Sequence, residues 1–519
     1  MNRYFSTNNL KKDLPAGLVV FLVALPLCLG IAMASGAPLF AGILTGIIGG
    51  IVVSSVSGSQ LSVSGPAAGL TVIVFSAIAS LGSYQTFLLA VVLAGFLQIL
   101  LGFLKAGIIA NYFPSAVIEG MLAAIGVILI LKQLPHAVGY DSDFEGDESF
   151  FQVDQSNTFS AMSEALTKFN VGAVMISVLS LLVLIYWPRI KKLSMIPAPV
   201  IVVAIGILLS FLFQSTSFAL SADHLVTIPV VNSFSEFTAL FAMPDFSQIA
   251  NQNVWTVAFT IAVVASIETL LCIEAVDKID PLKRVSPTNR ELVAQGIGNI
   301  ASGMVGGLPM TSVIVRSSVN VNAGGRTKMS AITHGTWLLL SVLFIPLLLN
   351  QIPLACLAAI LLVTGYKLAR LELFKKMWHH GKDQFIPFVV TILAVVFTDL
   401  LKGVAIGMIV GIFYILRNNL RNPYFYQIER NGDKKVITIK LAQEVSFLNK
   451  AAIQYTLNNL PAESDVVIDG TESRFIDKDV LEIIDNFKHN AYSKASIVKL
   501  VNIKKHYKIP PLKDMIIHG

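Results

Sequence analysis

Long apolar runs, broken by glycine, proline and short polar stretches, fill the chain from about residue 14 to residue 417. A membrane-spanning helix needs about 20 apolar residues. The runs fall near 14–34, 39–57, 66–81, 84–106, 115–132, 170–187 and 197–213, and again near 252–272, 288–305, 309–323, 327–350, 352–366, 385–400 and 402–417. The pattern predicts fourteen spans in two groups of seven, with 66–81, 309–323 and 352–366 short for a full crossing. After Arg417 the pattern changes. Ile437–Leu441 alternates, Val466-Val467-Ile468 reads as a buried strand, 480–487 has helical spacing and 496–501 reads as another strand. These elements predict a small α/β domain over 435–519, after a transmembrane domain over 1–422 whose halves cover about 13–213 and 252–417.

Charge tests that count. Arg189, Lys191 and Lys192 lie in one loop, Lys278, Lys283 and Arg284 in another, and Lys367, Arg370, Lys375, Lys376 and Lys382 in a third. The segment 135–168 instead holds Asp141, Asp143, Glu145, Asp147, Glu148, Asp154 and Glu164 against Lys168, and 214–250 has no Lys or Arg. Basic loops stay cytoplasmic, and with fourteen spans each falls on the side of both termini. The formal net charge of +6 is accounted for by these loops and does not call for a nucleic-acid partner. Only 13% of residues are charged, about half the share in soluble domains. Cys28, Cys272 and Cys356 lie in apolar runs with no metal or disulfide spacing. No nucleotide loop, metal cluster or nucleophile–base arrangement is present, so neither an enzyme nor a cofactor is expected.

Two segments interrupt the spans in corresponding places, each in the third run of its group. Ser59–Thr71 opens with alternation, and then Gly65-Pro66-Ala67-Ala68-Gly69 is expected to start a helix with Pro66 at its first position. Gly306-Gly307-Leu308-Pro309-Met310-Thr311-Ser312-Val313 has the same design. Paired broken helices point to a transporter site between inverted repeats. Helix starts at mid-membrane present free N–H groups and a positive dipole end, a setting for an anion. Glu268, deep in the eighth span, is an intramembrane carboxylate and therefore a candidate proton carrier. Arg316, placed two turns into the tenth span, is expected to add positive potential to the cavity.

With Asp13-Leu14-Pro15-Ala16-Gly17, Ser64-Gly65-Pro66-Ala67-Ala68, Phe113-Pro114, Val117-Ile118-Glu119-Gly120 and Asn289-Arg290-Glu291-Leu292-Val293-Ala294-Gln295-Gly296 leading into Gly306-Gly307-Leu308-Pro309, nearly the whole chain resembles the SulP family of anion transporters. The resemblance implies two inverted seven-helix repeats divided into core and gate domains, elevator-type movement, a homodimer and a C-terminal STAS domain. It implies an anion site between spans one, three, eight and ten. Matched residue by residue, that site comprises Ala67, Ala68, Gly69, Thr311, Ser312, Val313 and Arg316, a helix break at Pro26, and Glu268 as the coupling residue. Sodium-coupled bicarbonate members are similar but carry aspartate and a hydroxyl residue where Glu268 and Cys272 stand, which favours a proton over sodium. Leu27 replaces a glutamine of many sulfate-type members, and Lys478 stands where signalling STAS proteins carry a serine. A secondary transporter of small anions is expected, working by proton-coupled symport or by anion exchange, and bicarbonate, sulfate and related anions stay open as substrates. A sodium-coupled bicarbonate symporter, a nucleobase permease and a STAS-based membrane sensor are the competing readings, and a multi-pass protein of the bacterial inner membrane is expected.

Overall fold

The computed structural model describes residues 7–141, 150, 157–190, 197–228, 230, 240–420, 424–431, 434–461, 464–491, 497–504 and 507. Lys191, Lys192, Asp143, Glu145, Asp147, Glu148 and Asp154 of the loops above, and the last residues of the C-terminal domain, lie outside these. The chain divides into two compact units, Met1–Ile409 and Val410–Gly519, so the division falls inside a helix, Leu400–Leu420.

In the first unit a helix occupies every apolar run. They are α1 (Thr7–Ala34), α2 (Leu39–Val56, with a π turn at Gly49–Val53), α3 (Thr71–Leu81), α4 (Tyr84–Phe103), α5 (Ser115–Ala137), α6 (Thr158–Thr167), α7 (Val171–Tyr186) and α8 (Ala198–Phe213). Then come α9 (Gln252–Ile279), α10 (Thr288–Val305), α11 (Ile314–Asn322), α12 (Met329–Phe344), α13 (Leu354–Leu368), α14 (Leu371–His379), α15 (Lys382–Phe397) and α16 (Leu400–Leu420). Among the described residues, eight helices are long and apolar enough to cross a membrane. Helix α6 was not anticipated: Asn157 caps it, accepting from the N–H groups of Phe159 and Ser160, both at 3.0 Å, and it buries Thr158, Ala161 and Ala165. Helix α1 is central, with 89% of its span buried against 28% for Val171–Arg189 and 22% for Leu400–Arg417.

Pro26 does not break α1, which is helical throughout despite Pro15 and Pro26. Proline removes one N–H and is tolerated in membrane helices where neighbours satisfy the freed carbonyl. Glycines set the closest helix contacts, as expected where lipid gives helices no hydrophobic reason to associate. A Cβ built on Gly95 of α4 would stand 2.6 Å from the Gly296 carbonyl oxygen of α10, and one on Gly296 the same distance from the Gly95 oxygen. Gly126 of α5 and Gly365 of α13 repeat the arrangement at 2.6 and 2.7 Å.

Outside the spans, Asp141 bridges two histidines, one oxygen 2.6 Å from His136 Nδ1 and the other 2.6 Å from His224 Nδ1. The segment after His224 is tied to the approach to α13: Val226 N–H donates to Ile352 O at 3.0 Å and Ile228 N–H to Asn350 Oδ1 at 2.7 Å. Burial pushes the Asp141 carboxyl up, but hydrogen bonds and charge from His136 and His224 outweigh it and hold it below its ordinary range. The hydrogen bond to Asp141, opposed by burial and helped by the charges of Asp141 and Asp223, raises His224 above its ordinary value. A raised His224 contributes stability that is complete below the ordinary histidine value of about 6.5 and is lost as pH rises through its folded value. A depressed Asp141 contributes above its ordinary value and loses that contribution as pH falls through its folded one. Apparent melting temperature is therefore expected to fall as pH rises from about 6 to about 9, and His224→Ala to flatten that slope. A slope unchanged in the variant would exclude the bridge as its source.

Among its described residues the second unit holds a four-stranded sheet, a short parallel pair (Glu444–Val445 with Phe475–Ile476) and two helices after the sheet begins. The sheet's strands are Tyr424–Asn431, Lys434–Leu441, Asp465–Asp469 and Val498–Val501, the first pair antiparallel and the others parallel in that order. Helices Lys450–Asn458 and Lys478–Ala491 pack Ile453, Val480 and Ile484 with Ile437, Ile439, Val466 and Ile468 in its core. The parallel strands coincide with the runs read from sequence; the first strand and the helix at Lys450 were not anticipated.

Candidate functional site

The two interrupted segments meet. Ser64–Pro66 (β1) pairs antiparallel with Met310–Ser312 (β2), with Ser64 opposite Ser312, Gly65 opposite Thr311 and Pro66 opposite Met310. Pro66 is thus a strand residue and not the first residue of a helix, and Pro309 comes immediately before β2. A two-stranded ribbon has a free edge on each strand, so a residue lacking N–H is accommodated there. Helical structure starts later, in a short 3₁₀ turn at Ala68–Leu70 leading into α3, and at Ile314 for α11. Neither start has a side-chain cap: Ala67, Leu70 and Val313 hold the capping positions without one. Ala67, Thr311 and Ser312 are buried, whereas Ala68, Gly69 and Val313, at the two helix starts, are half-buried.

A charged side chain is set beside each start. Arg316 is the third residue of α11, in its first turn and not two turns in, and it is the largest fully buried side chain described. Its Nη1 would stand 1.9 Å from a Cβ placed on Gly65, so glycine is what lets the guanidinium lie on the strand. Nη2 reaches the Pro66 carbonyl at 3.5 Å, and the Cys28 side chain of α1 is an electrostatic neighbour of Arg316. The contacts described for α1 here run through Cys28, two residues beyond Pro26. Glu268, 4% exposed on α9, packs its carboxylate on Gly69, with Oε2 3.1 Å from where a Cβ would be. The adjacent Thr269 Oγ1 accepts from the Ser312 N–H at 3.4 Å. Helices α1, α3, α9 and α11 therefore meet here, with the Arg316 guanidinium on β1, the strand leading into α3, and the Glu268 carboxylate at the α3 start.

Sequence reading missed the frame that holds the ribbon. On α10, Glu291, Gln295 and Asn299 are spaced by four and share a face, and all three are buried. Glu291 Oε1 accepts from Ser57 Oγ at 2.7 Å, Gly58 N at 2.6 Å and Ser59 N at 2.9 Å. Gln295 donates to Ser64 Oγ at 2.7 Å. Asn299 Oδ1 accepts from Met310 N at 2.7 Å and its Nδ2 donates to Gln98 at 2.6 Å. Ser62 and Ser312 hydroxyls are 2.6 Å apart, and Ser317 Oγ accepts the Val63 N–H at 2.9 Å. The signal was available: a polar stripe at helical spacing within an apolar run. A cavity of about 510 Å³ lies at the far end of α11, bordered by Lys11, Lys12, Arg326 and Lys367.

A ribbon of two strands feeding two uncapped half-helices, framed by long apolar helices, defines a helical membrane transporter. The chain belongs to the sulfate permease family, whose model matches residues 10–391. It is 30% identical over 414 residues to the "Putative sulfate transporter YvdB" of Bacillus subtilis (strain 168), covering 80% of this chain and 75% of that one. Among solved structures, the transmembrane domain of a cyanobacterium bicarbonate transporter, BicA, is 26% identical with a TM-score of 0.54, over 79% of this chain and 98% of that one. The murine Solute Carrier 26 family member A9 anion transporter in the inward-facing state has a TM-score of 0.66 at 16% identity, over 97% of this chain and 87% of that one, a likeness of fold.

Proposed function

We propose that the protein is a secondary transporter of a small inorganic oxyanion, sulfate or bicarbonate, which it takes up with a proton. One observation carries this reading: the β1–β2 ribbon brings two uncapped helix starts together beside a buried arginine. The N–H groups of Ala68, Gly69 and the α11 entry, with Thr311, Ser312 and Val313, would surround the anion, and Arg316 would supply the positive charge. The names of YvdB and BicA support sulfate and bicarbonate as the substrates to test.

Glu268 is assigned the coupling role. It shares with the anion the positive end of α3; protonated, it no longer competes for that field, so proton and anion load together. Cys272, buried one turn further along α9, stands where a sodium site would want a hard oxygen ligand, which argues against sodium. The reading includes fourteen spans as two inverted seven-helix repeats over 1–422, supported by helices in every run and by the antiparallel sense of β1 and β2. It includes elevator-type movement of a core against a gate in a homodimer, a STAS domain over 435–519, supported by its parallel sheet, and residence in a bacterial inner membrane with both termini cytoplasmic.

The test is uptake of labelled sulfate and bicarbonate into proteoliposomes with and without an inward proton gradient. Wild type is expected to accumulate one of them more rapidly under the gradient. Glu268→Gln is expected to lose that stimulation while retaining gradient-independent counterflow. Equal stimulation in the variant removes Glu268 from the coupling role, and no uptake of either anion by folded protein refutes the transport reading.

A further inference from the structure

His334 on α12 is fully buried, and neither Nδ1 nor Nε2 has a hydrogen-bond partner among the described residues. Arg316 is similar: its Nε and Nη1 also lack a hydrogen-bond partner among nitrogen and oxygen atoms there. The two side chains are electrostatic neighbours. Their meeting place is fixed by packing. Gly46 of α2 is approached both by Cys28 Sγ, 2.8 Å from where its Cβ would be, and by Leu338 Cδ1 at 2.9 Å. Leu338 lies one helical turn beyond His334, and Cys28 is an electrostatic neighbour of Arg316. Gly335, beside His334, is pressed on Gly50 of α2, whose Cα would stand 2.9 Å from a Cβ there. The imidazole is thus enclosed between α1 and α2 on the same side as the arginine's neighbour Cys28.

Buried polar groups are almost always hydrogen-bonded, and an exception asks for a role. A neutral imidazole could be replaced there by an apolar residue at no loss of bonding. A protonated one would share a poorly screened setting with the Arg316 guanidinium, which like charges make unfavourable. An anion held by Arg316 reverses that balance: it neutralises the local positive field and attracts a second cation. Proton and anion binding are then linked, and by reciprocity each strengthens the other.

We propose that His334 is a second proton-linked residue of the site, loading a proton when the anion binds and releasing it when the anion leaves. The inference rests on the anion-site reading above but not on the role of Glu268. Other charged groups facing α12 do not take this part. On α1, Asp13 accepts from the Arg326 and Thr327 N–H groups at 2.6 and 3.0 Å, at the turn leading into α12, near Lys11 and Lys12. Lys328 donates to the Ser55 carbonyl at 3.0 Å. Residues 39–56 of α2 carry no charge. Among the described residues packed at Gly46, Cys28 is the titratable one.

The test measures protons taken up per anion bound, by calorimetry on the detergent-solubilised full chain in buffers of different ionisation enthalpy, with sulfate and then bicarbonate as probes. Wild type is expected to take up protons on binding near pH 6–7, with affinity rising as pH falls. Binding to Glu268→Gln keeps part of this uptake. His334→Gln and His334→Asn, checked for monodispersity and melting temperature, are expected to lose the part of the uptake that Glu268→Gln keeps, and to bind the anion with a correspondingly weaker dependence on pH. Proton uptake unchanged in either folded histidine variant overturns the proposal, as does binding by wild type with no proton uptake, a result that needs no variant. If neither anion binds folded wild type, the anion-site reading falls and this inference falls with it; loss confined to Glu268→Gln removes His334 alone.

Discussion

Arg316→Met is expected to lower anion uptake on the order of a thousandfold while leaving the protein at least as stable as wild type. A unit charge about 4 Å from an anion, at an effective dielectric constant of about 20, is worth about 4 kcal/mol, and each 1.4 kcal/mol is about tenfold in binding. The same charge is buried, with Nε and Nη1 unpartnered among the described residues. Burying a charge that is not well paired is destabilising, so methionine, similar in length and apolar, removes a strain on the fold together with the function. Transport and melting temperature should therefore move in opposite directions. Uptake within about tenfold of wild type would remove Arg316 from the anion site, whatever the melting temperature.

Gly42→Ala is the substitution expected to damage the fold most. Its Cβ would stand 1.9 Å from the carbonyl oxygen of Cys28 and 2.8 Å from the carbonyl carbon. Both are backbone atoms, so relief requires α1 and α2 to separate, and α1 is the most buried helix. Overpacking of this kind typically costs about 1–3 kcal/mol and sometimes more. Because Cys28 contacts Arg316, the site would be displaced as well. Gly65→Ala makes a useful contrast: its clash is equally close, but with the mobile end of Arg316. Fluorescence-detected size exclusion and thermal melting should show Gly42→Ala poorly folded and Gly65→Ala folded but impaired in uptake. Equal stability of the two would mean that the α1–α2 contact is softer than its geometry implies.

The sequence pattern was informative where chemistry repeats along the chain. Each apolar run became a helix because its residues have no other way to satisfy backbone groups in lipid, and the later strands around Ile437, Val466 and Val498 followed from alternation and β-branching. Local reading failed where the partner is far away. Pro66 was assigned to a helix because nothing adjacent to it reveals Met310 on the opposite strand. The break expected at Pro26 was a matter of resemblance, and packing around α1 keeps the helix whole. The stripe of Glu291, Gln295 and Asn299 was quoted in part as a motif, yet its work became visible only when Ser57, Ser64 and Met310 were placed against it. Arg316 and Glu268 were found because charge is conspicuous in an apolar run. Nothing in the sequence sets His334 apart from the other seven histidines, since burial and hydrogen bonding are three-dimensional facts.

The ribbon also sets a schedule for biogenesis. Ser62 and its hydroxyl partner Ser312 are 250 residues apart, and the strand opposite β1 belongs to the same late segment. At synthesis rates of about 5–20 residues per second, roughly 12–50 seconds pass before that partner is made. Throughout that interval the polar loop at 57–66 has neither Glu291 nor β2 to receive its donors. The nascent first half must wait at the insertion machinery, or at the wet edge of the bilayer, until the ribosome is well into the second.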